Sequence, residues 1–348
     1  MLAGLKPIIM SLSVGAVGGA VFSYLAVPLA WMLGPMIINI VASVSGAQVL
    51  IPHGIRVATL CLIGVFLGGS FSPELVGRLG EWIQSLALML LFIPLITIVA
   101  GWYYCHFARF DRSTAMFSGA PGTLTAMVMI GEESGADERM VALAQGLRVV
   151  IVVLLMPLVV VALTSTSAMS PSIVTVAGIF LWHDALLLAI AALLGFGLGH
   201  ILKLPASAMT GAMLVSTALY LGGIVHWRPP DIFLYVCLWV LGSAIGSRFS
   251  TATPALFFQV SRHSIVATAL IISLSAMFAA LVSQLTGMEY LTALLSFTPG
   301  GVAEMCLIAI AFDIDPATVA IHHLARIVVL ITAAPFAAKW ILSTHKID

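Results

Sequence analysis

Long apolar runs separated by short polar stretches fill this chain. They lie near residues 8–26, 29–50, 54–72, 82–107, 113–133 and 139–163, then near 183–201, 206–224, 231–249, 263–287, 290–311 and 317–342. A helix of about 20 residues crosses a hydrocarbon core of about 30 Å, and most of the runs reach that length. They far exceed the roughly 9–11 residues of a membrane barrel strand. Between the two sets of runs, residues 164–182 hold Ser, Thr and Pro without Lys or Arg, and read as a connector with room for a short interfacial helix. The pattern predicts an all-α polytopic membrane protein.

The two sets resemble each other. Residues 115–157 align with 293–335 at a constant offset of 178 without gaps, and 12 of the 43 positions are identical. The identities include Ser118/Ser296, Pro121/Pro299, Gly122/Gly300, Asp137/Asp315, Arg148/Arg326 and Pro157/Pro335. Gly64/Gly242, Gly68/Gly246, Phe71/Phe249 and Ser72/Ser250 match at the same offset, and Gly18/Gly195, Pro28/Pro205, Gly34/Gly211 and Met36/Met213 match at 177. Chance likeness between apolar helices would pair Leu, Val and Ala, and would not keep Pro, Gly, Arg and Asp in register. The sequence therefore indicates a duplication, with repeats over 1–163 and 183–348 joined by the connector 164–182.

The fifth run of each repeat carries a Pro-Gly pair at its middle, Pro121-Gly122 and Pro299-Gly300. Broken backbone at membrane depth survives only where protein or a water-filled cavity satisfies the freed polar groups. The run is either a broken helix that crosses, giving 12 spans, or a re-entrant hairpin, giving 10 spans and two hairpins. Positive charge separates the two readings, because cytoplasmic loops are enriched in Lys and Arg. With a cytoplasmic N-terminus, 12 spans put seven Lys and Arg inside against five outside. Hairpins move Arg139, Lys203, Arg248 and Arg262 inside and Arg228 out, for ten against two. The hairpin reading is favoured. It leaves five crossings per repeat, an odd number, so the repeats are inverted, which is a transporter signature.

Composition sharpens this picture by exclusion. Charged residues make up 8% of the 348 residues and hydrophobic ones 61%, where a soluble domain carries roughly 25% charged. That excludes a soluble enzyme and a disordered chain. Fourteen Lys and Arg balance fourteen Asp and Glu with no basic block, which argues against nucleic-acid binding. Cys61, Cys105, Cys237 and Cys306 are widely spaced, form no metal motif and read as apolar packers. The apolar stretch after Lys6 reads as the first span rather than a cleaved signal.

The few charges inside the runs are the candidates for chemistry. Arg148 and Arg326 each lie about ten residues into a span, where a charge costs roughly 2.5–3.5 kcal/mol on insertion scales. Arg offers planar bidentate donors to a carboxylate or phosphate, so an anion clamp is one role. A structural ion pair, or a tie to unwound hairpin carbonyls, is the other. The second arm of each hairpin opens a helix N-terminus, which attracts anions. Ser118, Thr123, Thr125, Ser296 and Thr298 supply hydroxyls nearby. Glu304, where the first repeat has Ala126, is either a coupling site or the partner of Arg326 or Arg148. His322 lies one turn before Arg326, and with His323 it replaces Ala144 and Gln145; a proton relay and a hydrogen-bonding packing role are both open.

A Pro-x5-Gly-x-Met element early in each repeat and a Ser-x-x-Pro-Gly element followed by Arg late in each resemble the AbrB family of integral membrane proteins, also labelled ammonia monooxygenase. The best matches are Gly119-Ala120-Pro121-Gly122 with Arg148, and Phe297-Thr298-Pro299-Gly300-Gly301 with Arg326; Thr123 stands where the family pattern has Gly. The resemblance covers nearly the whole chain. It implies an inner-membrane protein to which a regulatory and a monooxygenase label have both been given. The nine histidines form no compact ligand set beyond the adjacent pair His322-His323.

The reading is a secondary transporter of a small, carboxylate-type organic anion, with alternating access around a midplane site at the repeat interface. Its substrate-binding candidates are Ser118, Pro121, Gly122, Thr123, Thr125, Arg148, Ser296, Thr298, Pro299, Gly300, Gly301 and Arg326, and its coupling candidates are Glu304, His322 and His323. No catalytic or metal-binding residue is assigned, and no cofactor is expected beyond a coupling proton or sodium ion. The partners are the lipid bilayer and a small anionic ligand, with no nucleic acid; a homodimer is left open. Location in a bacterial inner membrane with both termini cytoplasmic is expected. The alternatives are a membrane-embedded ligand sensor that regulates gene expression and, less favoured, a membrane monooxygenase.

Overall fold

The computed structural model describes residues 2–72, 79–164, 182–251 and 253–344, so the connector lies almost wholly outside the described residues. Fourteen α-helices follow one another among them: α1 Leu2–Tyr24, α2 Ala30–Val44, α3 His53–Gly68, α4 Leu79–His106, α5 Arg112–Gly119, α6 Leu124–Glu133, α7 Glu138–Thr164, α8 Trp182–Ile201, α9 Ser207–Leu221, α10 Asp231–Ser247, α11 Pro254–Thr286, α12 Tyr290–Phe297, α13 Val302–Ala311 and α14 Pro316–Thr344. Seven of them, α1, α4, α7, α8, α10, α11 and α14, are long and apolar enough to cross a bilayer. Their outward faces are apolar too, with Leu91, Ile98, Leu193 and Ile201 among the exposed side chains. In water such faces would be unstable; against acyl chains they are the ordinary solvent-facing surface. The chain is an all-α, multi-pass membrane protein.

Two runs are shorter as helices than their hydropathy predicts. The run over 29–50 stops being helical at Val44, and Gly46 follows with a left-handed φ of 85°. The run over 206–224 stops at Leu221, before Gly223 at φ 64°. Glycine ends both because it enters the left-handed region without a Cβ clash. At 15 residues each, α2 and α9 rise about 22 Å, less than a full hydrocarbon core.

The backbone repeats at the offsets found in the sequence. Helices α5 and α12, and α6 and α13, have bounds related by 178, and α2 and α9 by 177. The left-handed residues pair likewise: Ala26/Lys203, Leu29/Ala206 and Gly46/Gly223 at 177, and Arg109/Gly287 and Gly135/Asp313 at 178. Non-glycine residues avoid this region, so shared outliers are more telling than shared helices.

The chain divides into two compact units, each drawing on both sequence halves. The first comprises Met1–Leu79, Met156–Thr251 and Val302–Ala317, and the second Gly80–Leu155, Ala252–Gly301 and Thr318–Asp348. In the first unit, α2 packs on α1 and α10, and α9 packs on α8 and α3. Glycines permit these crossings. A Cβ at Gly64 of α3 would overlap the Met209 carbonyl of α9, and one at Gly242 of α10 the Met32 carbonyl of α2. Without a hydrophobic force between helices in lipid, such close backbone approach supplies the dispersion contacts that hold them together.

The second unit contains α4, α5, α6, α11, α12 and most of α7 and α14. Its first broken segment folds back on itself. The Ser113 hydroxyl at the start of α5 donates to the Ser134 carbonyl just past α6 (2.9 Å), and Asp137 N donates to the Thr114 hydroxyl (2.8 Å). The two arms therefore start and end together, as the hairpin reading requires. The eight residues of α5 rise about 12 Å, less than half of a ~30 Å hydrocarbon core.

Candidate functional site

Proline dictates the geometry of both tips. In an unbroken helix the carbonyl of residue i accepts from the amide of residue i+4, and Pro has no N–H to give. Pro121 therefore orphans the Phe117 carbonyl, and Pro299 that of Leu295. The residue before each Pro is forced out of the helical region: Ala120 adopts φ −63°, ψ 128° and Thr298 φ −70°, ψ 122°. A three-residue turn follows, with Gly122 N bonded to the Ala120 carbonyl and Gly300 N to that of Thr298, both at 2.9 Å.

Two long helices repair the break with side chains. At the first tip, Gln145 of α7 donates from Nε2 to the orphaned Phe117 carbonyl (2.6 Å) and to Ala120 O (2.8 Å). Arg148, three residues on, donates from Nη1 to Ala120 O (3.0 Å) and from Nη2 to Gly122 O (3.5 Å) and Gln145 Oε1 (2.6 Å). At the second tip, His323 of α14 meets the Leu295 carbonyl through Nε2 (2.9 Å). Arg326 donates from Nη1 to Thr298 O (3.4 Å) and from Nη2 to Gly300 O and His323 Nδ1, both at 3.0 Å. The tie to unwound carbonyls is thus one role of both arginines.

Their charges are left over. Arg148 is 4% exposed and Arg326 2%. Among the described residues of their unit, no carboxylate lies within ion-pair distance (4.0 Å) of either. The two guanidiniums are also close enough to repel one another. Each keeps an Nε–H buried without a hydrogen-bond partner, and so does a serine hydroxyl on the arm leading into each tip, Ser118 and Ser296. Buried polar groups are satisfied nine times in ten, so four orphans at matching positions call for a physical reason.

The other candidates divide. Pro121, Gly122, Pro299 and Gly300 form the tips. Thr123 caps α6, accepting from Ala126 N at 3.4 Å, and Thr298 returns its hydroxyl to Leu294 O (2.7 Å). Thr125 is exposed and Gly301 half-buried. Glu304 belongs to the first unit, buried in the first turn of α13, where it attracts Arg248. His322 donates from Nδ1 to Thr318 O (2.8 Å) and bonds through Nε2 to Ser85 Oγ (2.7 Å), which makes it part of a buried network on α4.

Gln145 was not among the sequence candidates, although its alignment with His323 could have pointed to it. Tyr104 was also missed. It is buried on α4 within electrostatic reach of Arg148, and its hydroxyl donates to Ser264 (3.2 Å). Nothing in the run of apolar residues around it marks it out.

The family described as "Transition state regulatory protein AbrB" matches residues 31–342. The chain is similar to "Uncharacterized protein YhjN" of Bacillus subtilis (strain 168), 28% identical over 350 residues that cover 93% of this chain and 90% of that protein. It is also similar to "Putative regulator AbrB" of Escherichia coli (strain K12), 25% identical over 317 residues that cover 90% of each.

Proposed function

The chain belongs to the AbrB family, and from that premise we propose that it is a secondary transporter of a small organic anion of the carboxylate type, held at the two tips of the second unit and exposed to each side of a bacterial inner membrane in turn. One observation carries this reading: two buried guanidiniums in one unit with no carboxylate partner among its described residues. A charge in a low-dielectric setting is retained only when it is neutralised or used. Their free Nε–H groups and the hydroxyls of Ser118 and Ser296 are donors suited to anionic oxygen. The matched helix bounds and left-handed residues support the duplication, and with it the inverted repeats of transporters. Two separately compact units supply the two bodies that alternating access needs.

The name of the Escherichia coli relative, a regulator, favours a second reading. In that reading the same site binds its anion as a membrane sensor and carries nothing across.

The test is a thermal-shift titration of purified protein with acetate, lactate, succinate, citrate and inorganic phosphate, run beside Arg148→Gln and Arg326→Gln. Saturating ligand at 100 times Kd stabilises by about 2.7 kcal/mol, a readily measured shift. At least one anion is expected to shift the wild type and neither variant. Equal shifts in all three proteins, or none in any, would contradict an anion site at the tips.

A further inference from the structure

The two tips differ at one position that holds the arginine, and the difference is titratable. Gln145 and His323 occupy matching places and do the same two things: donate to the carbonyl that Pro orphans, and accept from the arginine three residues later. For His323 this fixes the tautomer. Leu295 O can only accept, so Nε2 carries the hydrogen; Arg326 can only donate, so Nδ1 carries none. The imidazole is neutral in this arrangement. A proton arriving at Nδ1 turns the acceptor into a donor aimed at a guanidinium, and the Nη2–Nδ1 bond is lost. Gln145 has no such second state.

We propose that His323 couples a proton to anion binding: the site takes up one proton at His323 Nδ1 with its anion, and this releases Arg326 from the imidazole to serve the ligand. The inference rests on the anion reading above. Without an anion, an imidazolium there would be a third positive charge. Among the described residues, the charged and titratable groups facing it are Arg326 and His322 on its own helix, while α12 presents the Leu295 carbonyl and Arg148 of α7 lies within electrostatic reach of Arg326. An anion bound by the arginines offsets that repulsion, so proton and anion each favour the other, as linkage requires.

His322 does not do this. Its Nδ1 already donates to Thr318 O, and a proton at Nε2 would be received by Ser85 Oγ, whose own hydrogen reaches Trp82 O at 3.1 Å. Protonation there breaks no bond to an arginine. Sodium is the weaker coupling candidate, since the tip carbonyls of Ala120, Gly122, Thr298 and Gly300 already receive guanidinium hydrogens.

The experiment is calorimetric titration of the full-length protein in nanodiscs with succinate, from pH 5.5 to 8, in the wild type, His323→Gln and Gln145→His. His323→Gln copies the amide that the first tip already uses, so it keeps both hydrogen-bonding roles. Wild-type affinity is expected to rise as pH falls, by up to about tenfold per pH unit for one linked proton. His323→Gln is expected to lose that slope and to keep only the shallow trend set by ionisation of succinate itself. Gln145→His is expected to steepen it. A wild-type slope that persists in His323→Gln, or a His323→Gln protein that does not bind at any pH while the wild type does, overturns the inference and leaves the anion site standing. A wild type that binds no succinate at any pH overturns both.

Discussion

At the first tip an amide steadies the arginine, and at the second an imidazole does. The surroundings differ as well. Gly119 lets α5 lie against the backbone of α4, where a Cβ would come within 2.6 Å of Gly101 N. Its counterpart Phe297 instead fills space, edge-on to Phe92 at 5.2 Å and beside Phe278 at 6.3 Å. The first tip is held by close backbone approach and the second by aromatic packing, yet Pro, Gly and Arg and the carbonyls they engage are the same. The shared part is what repairs a broken helix in lipid. The differing part is free to set packing and protonation, and is where the two tips can acquire separate tasks.

The largest effect is expected at the shared part. Arg148→Ala and Arg326→Ala each remove the buried charge on which anion binding rests and take the guanidinium donor from Gly122 O or Gly300 O, at about 1–3 kcal/mol, whereas Ala120 O and Thr298 O keep the turn amides of Gly122 and Gly300. Anion uptake by reconstituted protein should fall to the level of empty liposomes in both. Uptake that survived one substitution would mean that the tips are not equivalent in binding. Phe297→Ala should follow, destabilising by about 3–5 kcal/mol through the cavity it opens, whereas the same residue type at Gly119 (Gly119→Ala) acts by overlap instead. Thermal unfolding in detergent would rank them. Gln145→Leu and His323→Leu should each cost about 1–3 kcal/mol, because the carbonyl that Pro orphans loses its donor. Similar losses would show that the two side chains share one structural role, and a large inequality would break the parallel. The smallest effect is expected for Thr123→Ala, at most about 1 kcal/mol, since the cap it removes is a long 3.4 Å bond.

Much of the fold was legible because the bilayer permits few solutions. Length of apolar run, Pro-Gly breaks and the in-register Arg pair are coarse signals, and lipid enforces them strictly. The Ser113–Ser134 and Thr114–Asp137 bonds fold the first broken segment back on itself, in agreement with the hairpin reading that charge placement favours. Hydropathy alone could not reveal that α2 ends at Val44, because the residues beyond it, Val49 and Ile51, stay buried in non-helical backbone. The grouping of segments into two units was equally hidden, since each unit gathers segments far apart in sequence. At the site, the arginines stood out by their cost. Gln145 did not, because an amide in a span is unremarkable until the carbonyl it must satisfy is identified. Thr123 and Thr298, which the sequence offers as hydroxyls near the tips, each make a local bond there, to Ala126 N and Leu294 O.

Flux separates the transporter from a sensor most directly. Uptake of radiolabelled anion, chosen as the strongest binder in the thermal-shift series, can be followed into proteoliposomes holding wild type or Arg148→Gln/Arg326→Gln protein. Saturable uptake by the wild type and none by the double variant is the expected result. Binding without uptake in the wild type, or uptake that the double variant retains, would contradict transport at the paired arginines.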